Sequence, residues 1–306
     1  MYLGFDTSNY TTSVALFDGE KTVSKKKLLT VKHGERGLRQ SDAVFQHTVN
    51  IPELINEISF ENEIINAVAV SSRPRNIEGS YMPCFLVGAG TAEAVGKFTG
   101  APVYKTSHQI GHILAALYSV GRLDLVNQKF LVFHVSGGTT EALLAQPDED
   151  EIMKVSCVAE STDLKAGQAI DRTGVMLGID FPCGKELDRL SLLCDDIYKV
   201  KPSLQGINCS LSGVENKAVK MLDDGFSKEQ IAKFVLTYIC ETLDKMTEVL
   251  TERYAALPIV FAGGVMSNTL IKNKLSKKYS AYFAEPEFSC DNAAGTAIYA
   301  YLKDKK

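Results

Sequence analysis

The chain has 306 residues, 45% hydrophobic and 23% charged, a balance that excludes disordered and fibrous classes and fits a globular protein. A formal net charge of -4 excludes a global electrostatic footprint for nucleic acid, and no run of about 18 apolar residues marks a membrane span. Seven cysteines without a C-x-x-C, and an N-terminus (M-Y-L-G-F-D-T-S) that opens as a strand rather than a signal peptide, imply reduced thiols and a cytoplasmic location.

In chain order, the pattern predicts a strand-turn-strand over 5–17 and a third strand over 28–31. A helix over 42–58, a strand over 67–71, a helix over 85–99 and a strand over 103–105 follow. The densest basic stretch, Lys25, Lys26 and Lys27 with Lys32, Arg36 and Arg39, reads as a solvated hairpin and loop. A second strand-turn-strand is expected over 133–145, then a strand over 152–157, helices within 166–193 and a long helix within 228–254. A strand over 259–261, a helix over 268–277, a strand over 281–283 and a helix over 292–302 complete the order.

The two hairpins resemble one another. F-D-T-S-N-Y-T-T-S-V-A-L-F (5–17) aligns with F-H-V-S-G-G-T-T-E-A-L-L-A (133–145), so that Ser8 meets Ser136 and Thr11-Thr12 meets Thr139-Thr140. Similar elements follow each, which implies internal duplication: an α/β protein with two related lobes of mixed sheet covered by helices. The expected boundary gives an N-terminal lobe over 1–106 and a C-terminal lobe with inserted helices over 107–306, the last helix able to pack back on the first lobe. A cleft between two such lobes is a natural ligand site.

Chemistry-bearing residues gather at turns. Ser136, Gly137, Gly138 and Thr139 form a tight turn whose N–H groups and hydroxyls suit anionic oxygens, though S-G-G is also an ordinary hairpin turn. Thr7, Ser8 and Asn9 hold the matching place in the first hairpin. Gly263 and Gly264 lie between a buried strand and a helix opening near Asn268, a phosphate-binding geometry that is neither a Walker A motif nor a G-x-G-x-x-G fingerprint. His108 and His112 are four residues apart on a predicted helix, so both imidazoles share a face and could reach one ion. A third ligand must come from elsewhere, and Asp291, read as the N-cap of the last helix, is the best candidate. Gln109 stands where a zincin protease needs glutamate, which argues against proteolysis.

Six motifs carry a family resemblance across nearly the whole chain: S-H-Q-I-G-H, V-S-G-G-T-T, A-G-Q-A-I-D, P-C-G-K-E-L-D, A-G-G-V-M-S-N and D-N-A-A. In this order they resemble the catalytic subunit family of tRNA threonylcarbamoyladenosine synthesis, long labelled O-sialoglycoprotein endopeptidases. The resemblance implies the two-lobed fold of actin, sugar kinases and the Hsp70 ATPase. It implies a cytoplasmic transferase moving a threonylcarbamoyl group from threonylcarbamoyl-AMP to the amino group of the tRNA adenosine beside the anticodon. It further implies one divalent metal ion, iron or zinc, on His108, His112 and Asp291, and an adenylate or ATP/AMP ligand. The phosphate region falls to Ser136, Gly137 and Gly138, the ribose to Asp171, Gly184 and Asp188, and the pocket beyond Gly263-Gly264 to Asn268. Partner proteins of a modification complex, and a dimer with a structurally similar subunit, are implied alongside tRNA.

The chain departs from that family at D-T-S-N-Y-T-T, where the family reads E-T-S-C-D-E-T, and at Arg73-Pro74-Arg75, Cys183 and Lys185. The segment 34–42 also differs. These departures keep three alternatives open: a paralogue with another acceptor, a non-catalytic nucleotide-binding regulator, and a kinase of the same fold using Asp6 to hold magnesium.

Overall fold

The computed structural model describes residues 1–8, 10–31, 38–59, 63–255 and 257–306. Asn9, Lys32, Gly34 and Arg36, named above, lie outside them.

The first hairpin joins β1 (Tyr2–Asp6) to β2 (Thr11–Phe17), and every position of β2 is buried. β-Branched, small and aromatic residues fill it, as a strand covered on both faces requires. β3 (Thr22–Leu28) is antiparallel to β2, with Thr11 opposite Leu28 and Phe17 opposite Thr22. The third strand thus precedes the expected 28–31. Its register is set by the turn at Asp18 and Gly19, where Asp18 Oδ1 accepts the N–H groups of Glu20 and Lys21 and Gly19 takes φ +111°. An apolar pattern does not reveal β3 because it is a lysine-rich edge, the composition that blocks edge-to-edge pairing. Lys25 and Lys27 pair with Glu57 and Glu53, in agreement with a solvated hairpin.

α1 (Gln40–Glu57), β4 (Ala67–Arg73), α2 (Phe85–Thr99), β5 (Val103–Ser107) and α3 (His108–Ser119) follow. Next come β6 (Phe130–Val135), β7 (Thr140–Asp148), β8 (Ile152–Glu160), α4 (Ala166–Met176) and α5 (Gly184–Ser191). The remainder is β9 (Leu204–Gln205), β10 (Asn208–Cys209), α6 (Ser212–Asp223), α7 (Lys228–Arg253), β11 (Ile259–Ala262), α8 (Thr269–Lys278), β12 (Ala281–Phe283) and α9 (Ala294–Asp304).

Among the described residues, two five-stranded sheets have the orders β3-β2-β1-β4-β5 and β8-β7-β6-β11-β12. In each, the hairpin pair is antiparallel and the next pairs outward are parallel. Phe5 faces Val14 and Phe133 faces Ala142, so the aligned hairpins share one register. The repeat seen in the sequence is therefore a repeat of topology.

The chain divides into two compact units. One comprises Met1–Asn127, Pro147–Val155 and Glu287–Lys306, and the other Gln128–Gln146 and Ser156–Pro286. The core of the first gathers Phe5, Val14, Leu16, Leu54, Val68 and Val70. α9 belongs to this unit and lies directly on β1, where a Cβ on Gly4 would come within 2.4 Å of Ala297 N. The core of the second is built on α7, whose Val235, Ile239 and Leu243 join Leu131, Phe133 and Phe261, each large apolar side chain contributing about 1.5–3 kcal/mol. α6 was not expected from the sequence. Its start is held by Asp163, whose carboxylate accepts the Leu211 and Ser212 N–H groups at 2.7 and 3.1 Å, a cap supplied from far along the chain. Among the described residues no helix is long and apolar enough to cross a membrane.

Candidate functional site

In the first unit, Ser107 caps α3, its Oγ accepting the Ile110 N–H at 3.3 Å. His108 opens that helix and His112 follows one turn later, so the rings meet on one face with Nε2 to Nε2 at 2.9 Å. Asp291 Oδ1 lies 3.1 Å from His112 Nε2 and 3.5 Å from His108 Nε2. One ligand atom from each of the three lies within 4.8 Å of the others. The side chains are 21%, 14% and 30% exposed, so a small ion has access.

Asp291 is not the N-cap of the last helix, which corrects the sequence reading. α9 begins at Ala294 with Ala293 as its cap, and Asn292 Oδ1 accepts the Ala294 N–H at 3.0 Å. Asp291 is left free of capping duty, and Thr11 Oγ1 donates to its Oδ2 at 3.3 Å.

Sequence reasoning assigned Asp6 no place in this cluster. Asp6 ends β1 and is 1% exposed. Its Oδ2 lies 2.8 Å from His108 Nδ1 and accepts the Ser71 hydroxyl at 2.6 Å, while Oδ1 accepts the Ser8 N–H at 2.8 Å. Both oxygens are thus engaged within the protein. No local motif could have found this pair, because the two residues are 102 positions apart.

The electrostatics favour positive charge here. Burial opposes an imidazolium at His108, yet the Asp6 and Asp291 carboxylates push its pKa up to about 10. Burial likewise opposes ionised Asp6 and Asp291. The His108 charge and its hydrogen bonds hold Asp6 low, and His108 with His112 holds Asp291 well below the usual carboxylate range. Two imidazoles and a carboxylate converging on one point are a donor set for zinc or ferrous iron, so these residues could hold a metal.

Arg73 does not add a free charge nearby. Its guanidinium pairs with Glu151 at 3.0 Å and reaches Asn76 Oδ1 at 2.9 Å.

The candidate nucleotide residues lie in the second unit. The Ser136 N–H reaches the Thr139 carbonyl at 2.7 Å and closes the S-G-G turn. The first turn of α4 presses on it, since a Cβ on Gly167 would sit 2.6 Å from Gly137 backbone. β6 and β11 are parallel neighbours, so this turn and Gly263-Gly264 leave the sheet at the same end, at the carboxyl ends of the two strands. Gly263 takes φ +97°, and a Cβ there would lie 2.2 Å from the Val135 carbonyl oxygen. Gly137, Gly138 and Gly264 have open space where a side chain would be. Asp171 Oδ1 accepts the Cys183 N–H at 2.9 Å, and Gly184 opens α5 behind it. Asp188 accepts from Asn268 Nδ2 at 2.9 Å and from the Thr269 hydroxyl at 2.8 Å. Its neighbour Arg189 pairs instead with Glu186. Asn268 Oδ1 caps α8 through the Ile271 N–H at 3.1 Å.

Residues 24–298 match the family described as tRNA N6-adenosine threonylcarbamoyltransferase. The chain belongs to that family. A threonylcarbamoyltransferase of Thermosipho africanus is 29% identical over 323 residues, covering 99% of this chain and 94% of its own. One of Kosmotoga olearia is 28% identical over 320 residues, covering 99% and 93%. Among solved structures, component A of (R)-2-hydroxyglutaryl-CoA dehydratase from Acidaminococcus fermentans aligns at TM-score 0.57 and 15% identity, over 100% of this chain and 99% of that one. That likeness carries the fold alone, the α/β fold of actin-like ATPases and sugar kinases. The threonylcarbamoyltransferase family is one of transferases acting on tRNA adenosine, and this chain is an enzyme of that transferase class.

Proposed function

We propose that this chain transfers the threonylcarbamoyl group of threonylcarbamoyl-AMP to the N6 amino group of the tRNA adenosine beside the anticodon, using one divalent cation, iron or zinc, held by His108, His112 and Asp291. The observation that carries the metal part is the convergence of those three donor atoms within 4.8 Å. A cation bound there would supply Lewis acidity toward the oxygens of the threonylcarbamoyl group.

The donor is a mixed anhydride and is already activated, so no protein nucleophile is required. The adenosine nitrogen forms a bond to the carbamoyl carbon. The bond from that carbon to the phosphate oxygen breaks, AMP leaves with the electron pair, and the nitrogen loses its proton. Ser136, Gly137, Gly138, Thr139, Gly263 and Gly264 suit the phosphate, their glycines offering backbone N–H groups without side chains in the way. Asp171, Gly184, Asp188 and Asn268 suit the ribose and base side of the adenylate. The acidic balance of the chain, formally -4, fits an enzyme that grips tRNA with partner proteins, including a structurally similar subunit, in the cytoplasm.

A second reading, transfer to another acceptor, is favoured by N-Y-T-T in place of the family's C-D-E-T in the first hairpin. Mass spectrometry of tRNA nucleosides after deletion of the gene separates the two. Loss of threonylcarbamoyladenosine supports tRNA as acceptor, and its persistence supports the other. The regulator reading is disfavoured by an intact set of three metal donors.

A further inference from the structure

The ring of His108 has two nitrogens in different company. Nδ1 faces Asp6 Oδ2 at 2.8 Å, and Nε2 faces His112 Nε2 at 2.9 Å and Asp291 Oδ1 at 3.5 Å. A histidine offers a ligand lone pair on one nitrogen only while its single proton sits on the other, and the hydrogen bond at that other nitrogen decides the choice. A carboxylate can only accept. We infer that Asp6 is a positioning residue: when a cation displaces one of the two ring protons of the His108 imidazolium, Asp6 keeps the remaining proton on Nδ1, so that the Nε2 lone pair points to where His112 and Asp291 converge.

The inference rests on the cation-site reading above and adds a residue that touches neither cation nor substrate. Asp6 is itself fixed. The Ser8 N–H pins Oδ1, and the Ser71 hydroxyl, 3.3 Å from Thr296 Oγ1, pins Oδ2 beside the imidazole. A buried carboxylate with every contact a donor has one orientation and one protonation state to offer.

This arrangement makes Asp6→Asn a specific probe. The backbone N–H of Ser8 demands an oxygen at the Oδ1 position, so the new NH2 group must take the Oδ2 position and face His108 Nδ1. A donor there converts Nδ1 into an acceptor and moves the proton to Nε2, which removes the lone pair from the cluster without removing a ligand residue. Orienting partners of metal-bound histidines typically change affinity 10–100-fold when lost.

The test is a zinc titration of the full chain against a competing chelator, wild type beside D6N, with 15N spectra of the histidine rings. Five histidines make the rings assignable. The expected result is zinc binding about 10–100-fold weaker in a D6N variant that remains folded, and a zinc-loaded wild type whose His108 carries its proton on Nδ1. Equal zinc affinity in a folded D6N overturns the inference and leaves the cation site standing. If D6N does not fold, the wild-type spectrum decides alone: a His108 proton on Nε2 in the zinc-loaded protein overturns it. Absence of zinc binding by the wild type overturns the cation-site reading, and this inference with it.

Discussion

Gly295 and Gly111 are in backbone contact: a Cβ on Gly295 would lie 1.8 Å from the Gly111 carbonyl oxygen. Gly111 is in α3 between His108 and His112, and Gly295 is in the first turn of α9, just after Asp291. The crossing of these two helices therefore sets the distance between the imidazoles and the carboxylate. A backbone atom cannot swing aside as a side chain can. Gly295→Ala is expected to destabilise by about 3 kcal/mol or more and to lower metal content, read by urea unfolding and elemental analysis. Gly111→Ala would meet Thr296 Oγ1 at 3.2 Å, with Ser71 Oγ and Thr296 N at an ordinary 3.9 Å, and is expected to cost less.

Glycines chosen for access behave differently. Gly138 is exposed, with nothing within 4 Å of the place a Cβ would take. Gly138→Ala is expected to leave stability within about 0.5 kcal/mol of wild type while weakening AMP binding, measured by calorimetric titration. Unchanged AMP affinity would remove Gly138 from the phosphate region.

Asp188 holds the Asn268-Thr269 corner through its carboxylate, including the Thr269 N–H at 3.1 Å. Asp188→Ala is expected to lose about 1–3 kcal/mol because those donors lose a charged acceptor, and to weaken adenylate binding as well. A stability loss with full AMP affinity would make Asp188 a brace for α8 rather than a ribose contact.

His47 gives the pH dependence. It is fully buried on α1, its Nδ1 2.8 Å from Thr12 Oγ1. Burial pushes its pKa down to about 4, against a weaker pull upward from Asp6. The unfolded chain takes up this proton near pH 6.5 and the folded protein only near 4, so the unfolded state binds more protons between those values. The contribution is thus present above pH 6.5 and is lost as pH falls toward 4, amounting to about 3 kcal/mol across the window. His47→Gln is expected to flatten that part of the stability curve between pH 7 and 5, measured by urea unfolding. An unchanged slope would show that His47 is not the group responsible.

Sequence pattern was sufficient where a feature is local. The helix over 85–99 coincides with α2, and the spacing of His108 and His112 is visible in six letters. It failed where long-range contacts decide. D-N-A-A offers two cap-like side chains in a row, and only the observed start of α9 shows that Ala293 is the cap, that Asn292 accepts the Ala294 N–H from the position before it, and that Asp291 does not cap. The start of α6 depends on Asp163, and the setting of His108 depends on Asp6 and Ser71, which no periodicity joins. The lysine-rich β3 carries no apolar alternation, so its bounds come from the turn and from pairing with β2.

The claim that His108, His112 and Asp291 share one cation is tested most directly by metal content. Plasma mass spectrometry would be run on the full chain after loading with zinc or ferrous iron and removal of unbound metal. The account predicts about one equivalent per chain in the wild type and a loss of most of it in His108→Ala/His112→Ala and in Asp291→Ala. A wild type that retains none, or a double variant that retains all of it, would contradict the account.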